Sequence, residues 1–102
     1  MIEVYHNSEF IIYGTRLIGG EKIESIPENV LEKVADVDTD NLDIAFTLTN
    51  NIDIPWTKNK KVIPACENLR STSMGDVLIK KGIAYLVLDA GFKGISITRT
   101  DN

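Results

Sequence analysis

The sequence predicts an α+β fold: a small, twisted, mostly antiparallel sheet with one short helix at about 40–50 and a C-terminal three-strand meander. Three observations predict it. β-Branched and aromatic residues cluster in short runs. The stretch DVLIKKGIAYLVLD has a Lys81-Gly82 turn between two apolar runs and reads as a hairpin. In NLDIAFTLTNN, Leu42, Ala45 and Phe46 follow the spacing of one helical face.

Taken in order, strands are expected at about 2–6, 9–18 and 21–26, with Gly19-Gly20 as a two-residue hairpin between the second and third. Pro27 interrupts. Residues 30–37 read as a further strand, with Leu31, Ala35 and Val37 on one face and Val34 on the other. Asp38-Thr39-Asp40 then lead into the helix, where Asp43 in the first turn complements the positive end of the helix dipole and Asn50-Asn51 stops it. The longest loop follows and runs to Asp76, with two prolines and little periodicity. IAYLVL is apolar on both faces, so it is expected as a central strand covered on both sides, by the helix and loop or by a second subunit. Gly91 permits a tight bend, and Phe92, Ile95 and Ile97 supply the last strand.

A chain of 102 residues with 43% hydrophobic and 25% charged residues is expected to form a single domain, 1–27 as N-terminal strands and hairpin and 28–98 as the core. Its lone Cys66 cannot form an internal disulfide and gives no metal framework. No apolar run approaches the ~20 residues that span a bilayer, and MIEVYHNSEF lacks a secretory pattern, so a cytoplasmic location is expected.

The net charge of −4 disfavours generic nucleic-acid binding, but it conceals a split. Between Glu21 and Asp53 nine acids face two lysines, leaving −7; between Lys58 and Lys81 six bases face two acids, leaving +4. Such a distribution can steer a charged partner or favour self-association, or serve only as a solvated surface.

Catalytic motifs are wanting. A nucleophilic triad has only His6 as its histidine, and nothing in the sequence brings it to Cys66; a strand histidine and a buried thiol are the simpler readings. Gly19-Gly20-Glu21-Lys22 lacks the ending of a phosphate loop. Asp36, Asp38 and Asp40 have the one, three, five spacing of a calcium loop, yet Asn41 stands at the sixth position and Thr47 at the twelfth, and helix capping explains these acids better. No metal, cofactor or catalytic residue is therefore assigned.

Two binding surfaces are candidates. Asp36, Asp38, Asp40 and Asp43, with Trp56 as either an exposed anchor or a core plug, would meet a protein partner or a second copy of the chain. Lys58, Lys60, Lys61 and Arg70, with the hydroxyls of Ser71 and Ser73, would meet an anion in a nucleic-acid or nucleotide-binding module. A small enzyme near His6, Cys66 and the Arg70 loop is the third alternative. RSTSMGD itself reads first as a compact turn, since its hydroxyls and Asp76 can bond the local backbone and Gly75 permits a positive φ.

The block Arg70-Ser71-Thr72-Ser73-Met74-Gly75-Asp76-Val77 is followed by Gly82, Tyr85-Leu86-Val87 and Gly91-Phe92, and preceded by LDIAFTLTN, Ile52-Asp53 and Trp56. This pattern, over roughly residues 30–95, resembles a family of small uncharacterised phage, plasmid and bacterial proteins that includes YodL-like domains. The resemblance implies an accessory protein of a mobile genetic element, one that binds a host or defence protein, and carries over no catalytic residue. The first third of the chain departs from it.

Overall fold

The computed structural model describes residues 1–50, 56–65 and 70–99. Within them lie seven strands, β1 (Ile2–Asn7), β2 (Ser25–Pro27), β3 (Leu31–Val37), β4 (Val62–Pro64), β5 (Val77–Lys80), β6 (Ile83–Val87) and β7 (Phe92–Thr98), and two helices, α1 (Phe10–Ile18) and α2 (Leu42–Thr49). The strands form one curled sheet in the order β2-β7-β6-β5-β1-β3-β4. Every pairing is antiparallel except β2 with β7. The α+β class and the meander β5-β6-β7 are as the sequence predicts.

The core has two parts, one on each face of the sheet. Ile2, Val4, Val37, Leu78 and Val87 pack with Ala45 of α2 and with Trp56. Val77, Ala84 and Leu86 pack on the other side with Tyr13 of α1, Ile23 and Ile26, and Leu17 joins them part-buried. In β6, Ala84 and Leu86 face the α1 side and Val87 the α2 side, while Ile83 at the strand's start is exposed, so the two-sided cover expected from the sequence is only partial. Trp56 is the plug of the first part, 4% exposed, and not an exposed anchor.

Helix α2 is capped by Asn41 and not by the aspartates expected to cap it: the Asn41 side chain accepts from the Ile44 N–H at 3.1 Å, while Asp36 and Asp40 pair with Lys33 and the amino terminus. Asp43 lies in the first turn. Within the described part of the long loop, Trp56–Lys58 form a single 3-10 turn and β4 pairs with β3 at the sheet edge.

The segment expected as a strand at 9–18 is the helix α1, so the described residues hold two helices, not one. Phe10, Tyr13, Gly14 and Leu17 recur at helical spacing and are the residues that turn inward; that period prevails over the β-propensity of Phe, Ile and Tyr because it gives the exposed face of the sheet a cover. Gly19-Gly20 is accordingly a helix stop and not a hairpin. Gly20 has φ +86°, its N–H donates to the Leu17 carbonyl, and the Glu21 N–H donates to the Arg16 carbonyl, the paired bonds of a Schellman motif. The strand expected at 21–26 shrinks to β2, which joins β7 in parallel.

The faces expected of the strand at 30–37 also change in β3. Val4 faces Ala35 and Tyr5 faces Lys33, which leaves Val34 as the extra residue of a bulge. The bulge resets the alternation. Val34 joins Ala35 and Val37 in the core under α2, and Leu31 goes to the α1 side.

The Schellman assignment separates two adjacent glycines. Gly20→Ala should lower stability by about 1 kcal/mol, because a Cβ is disfavoured at positive φ. Gly19, at φ −72°, should tolerate alanine within about 0.5 kcal/mol. Urea denaturation of the two variants measures the difference, and equal costs would refute the motif.

Candidate functional site

The end of β1, the start of α1 and the turn at residues 70–76 meet at one buried carboxylate. Asp76 is fully buried. It accepts from the Asn7 N–H at 2.8 Å and the Ser73 N–H at 2.8 Å, and from both ends of the Arg70 guanidinium at 2.6 and 2.7 Å. Such bidentate, charge-assisted pairing is what makes a buried carboxylate tolerable. The remaining Arg70 bonds go to the Ser71 and Asn7 carbonyls at 3.0 and 3.2 Å, and its guanidinium lies 3.6 Å from the centre of the Phe10 ring.

Asn7 completes the junction. Its amide donates to the Gly75 carbonyl at 3.1 Å and its side-chain oxygen accepts from the Glu9 N–H at 2.8 Å, turning the chain from strand to helix. Gly75 is required here on two counts: φ is +97°, and a Cβ would stand 2.8 Å from the Phe10 carbonyl oxygen. The compact turn read from RSTSMGD is therefore what forms.

His6 sits behind this junction, 8% exposed, edge-on to Trp56 at 6.1 Å between ring centres. Its Nε2 is 3.1 Å from Oγ1 of Thr72, which is fully buried. The Thr72 N–H and carbonyl are held by α2, through Thr49 and Asn50 at 2.8 and 2.5 Å. The Trp56 indole N–H donates to the Arg70 carbonyl at 3.1 Å. Burial pushes the His6 pKa down to about 4; the Arg70 charge lowers it further and Asp76 works the other way. The ring is neutral at pH 7. A groove of about 280 Å³ opens beside it, lined by His6, Phe10, Val30, Glu32, Val34 and Arg70 among others.

The two charge groups read from the sequence are treated differently by the fold. Asp36 is paired with Lys33 at 3.0 Å, and Asp40 lies 3.4 Å from the amino terminus. Asp38 and Asp43 are exposed. Pairing of β3 with β4 sets Asp38 beside Lys61, the Asp38 N–H donating to the Lys61 carbonyl at 2.8 Å, so the acidic and basic stretches adjoin. Lys58, Lys60 and Lys61 are exposed around that edge, whereas Arg70 is engaged with Asp76. Ser73 serves the Asp76 cluster through its N–H, and Ser71 through its carbonyl. Cys66 lies outside the described residues, and with it the His6–Cys66 pairing. Among the described residues, no three His, Cys, Asp or Glu side chains converge to hold a metal ion, and no helix is long and apolar enough to cross a membrane.

Sequence reasoning passed over Asn7, Phe10 and Glu32. The signal for the first two was Asn7-Ser8-Glu9 ahead of a helical period, a start signal hidden by reading the whole stretch as strand. Glu32 carried no signal.

Two outcomes test this account. Arg70→Met should cost about 3 kcal/mol in denaturant unfolding, because it strands a buried carboxylate; a cost near zero would mean that the pair is dispensable. For His6 the unfolded state takes up a proton near pH 6.5 and the folded state only near pH 4, so stability should fall as pH is lowered through that window. His6→Asn should remove that part of the pH dependence, and an unchanged slope would place it elsewhere. No protein-family model, curated protein or solved structure was found to match the chain.

Proposed function

We propose that the chain is a non-catalytic accessory protein that acts by binding another protein, with the outer face of α1 as its contact surface. One observation carries this reading: Ile11, Ile12 and Ile18 are 69%, 56% and 75% exposed on a helix of nine residues. Three large apolar side chains on so short a helix form the kind of patch that marks interaction surfaces. Beside them Ile11, Gly14, Thr15 and Ile18 line a cleft of about 290 Å³ against Ser73 and Met74, a receptacle for a partner's apolar side chain.

The acidic surface is the weaker candidate, since Asp36 and Asp40 already face cations and Asp38 adjoins Lys61. The resemblance of residues 30–95 to YodL-like proteins adds the setting: a mobile genetic element, acting in the cytoplasm, with a host or defence factor as the bound protein.

The test compares the wild-type chain with the double variant I11E/I18E as bait in lysate, alongside size-exclusion chromatography with light scattering at low and high salt. Both sites are exposed, so the double variant should fold. Proteins retained by the wild type should fall at least about tenfold with the variant, as expected when a central apolar contact is lost. Equal retention by both baits would refute the α1 surface. A salt-insensitive dimer broken by the same substitutions would instead make the occupant a second copy of this chain.

A further inference from the structure

The groove beside His6 is separate from the α1 surface and has its own chemistry. Thr72 is fully buried, and the contact of its hydroxyl is with His6 Nε2. A buried hydroxyl must place its proton on an acceptor, so Nε2 accepts and the neutral ring carries its hydrogen on Nδ1. No buried side-chain nitrogen among the described residues lacks a partner, so Nδ1–H meets the open groove that His6 lines. Arg70 lines the same groove. Its four Nη hydrogens are taken by Asp76, Asn7 and Ser71, which leaves Nε–H.

Across the groove stands Glu32, the direct cross-strand partner of His6 in the β1–β3 register and thus on the same side of the sheet. It is exposed, and the adjacent Lys33 is engaged with Glu3 and Asp36. Val30, Val34 and Phe10 supply the apolar wall. A simple anion entering the groove would meet the Glu32 carboxylate, and a simple cation would find hydrogen-bond donors and not acceptors on His6 and Arg70, whose charge Asp76 already matches. A ligand carrying both charges satisfies both ends. The volume, about 280 Å³, suits a molecule of a dozen or fewer heavy atoms.

We propose that this groove binds a small zwitterion of the α-amino-acid type, its carboxylate on His6 Nδ1–H and Arg70 Nε–H, its ammonium on Glu32 and its side chain against Val30, Val34 and Phe10. Such a ligand would tie β1, β3 and the Arg70 turn together at the foot of α1.

The experiment is an NMR titration of the full ¹⁵N-labelled chain with L-valine, L-leucine and L-phenylalanine, each to about 10 mM, a range that reaches millimolar dissociation constants. At least one should give saturable shifts centred on His6, Glu32 and Arg70. Its deaminated and decarboxylated forms (isocaproate and isoamylamine in the case of leucine) should each bind about tenfold more weakly, the scale of one lost charge-assisted contact. Glu32→Gln should weaken the amino acid by a similar factor and, at an exposed site, leave the rest of the spectrum in place. The proposal is overturned by any of three results: no saturable shift with all three amino acids, a deaminated form that binds as tightly as its parent, or an E32Q variant with wild-type affinity.

Discussion

Everything around the site depends on satisfying the Asp76 carboxylate while it is sealed from water. An uncompensated charge at that depth would cost several kcal/mol, so the chain brings its donors to it from three directions. The Asn7 N–H comes from the end of β1, the Ser73 N–H from the turn, and the Arg70 fork from six residues upstream. Each donor fixes a backbone segment as well as a charge. With Asn7 held at the end of β1, its side chain is free to receive the Glu9 N–H, and α1 begins there. With Arg70 held flat, Phe10 gains a surface to stack on.

The same junction links the two halves of the core. Trp56 and His6 belong to the α2 side of the sheet, and their hydrogen bonds run to Arg70 and Thr72 in the turn. Met74 and Gly75 of that turn lie against Gly14 and Phe10 of α1, on the opposite side. A strip of seven residues thereby touches both layers, which is why small side chains and one glycine are needed along it. The turn then enters the meander directly, through paired backbone bonds between Gly75, Asp76 and Val87.

Charge and apolar surface are distributed in complementary ways. The acidic and basic stretches, so separate along the chain, become neighbours once β4 docks on β3, and Asp36 and Asp40 are spent on Lys33 and the amino terminus. The apolar surplus is not spent. Helix α1 uses Tyr13, Gly14 and Leu17 to cover the sheet and turns three isoleucines outward, a residue choice that folding alone does not demand. That contrast is the reason the functional reading rests on α1 and not on the charged face.

The sequence by itself determined the elements whose signals are local. The meander is written in a Lys-Gly turn between two apolar runs, α2 in its 3.6-residue spacing and the Asp43 of its first turn, and the 70–76 turn in hydroxyls, Gly75 and Asp76. Each of these depends on a few adjacent residues whose preferences agree. Where preferences conflict, only the tertiary structure decided. Residues 10–18 carry the propensity of a strand and the period of a helix, and the uncovered face of the sheet settled the matter. The bulge at Val34, the meeting of Asp38 with Lys61 and the groove between His6, Glu32 and Arg70 are products of strand register, which joins residues tens of positions apart. Register follows from what each face can bury once the whole sheet is assembled, and no short stretch of sequence encodes it.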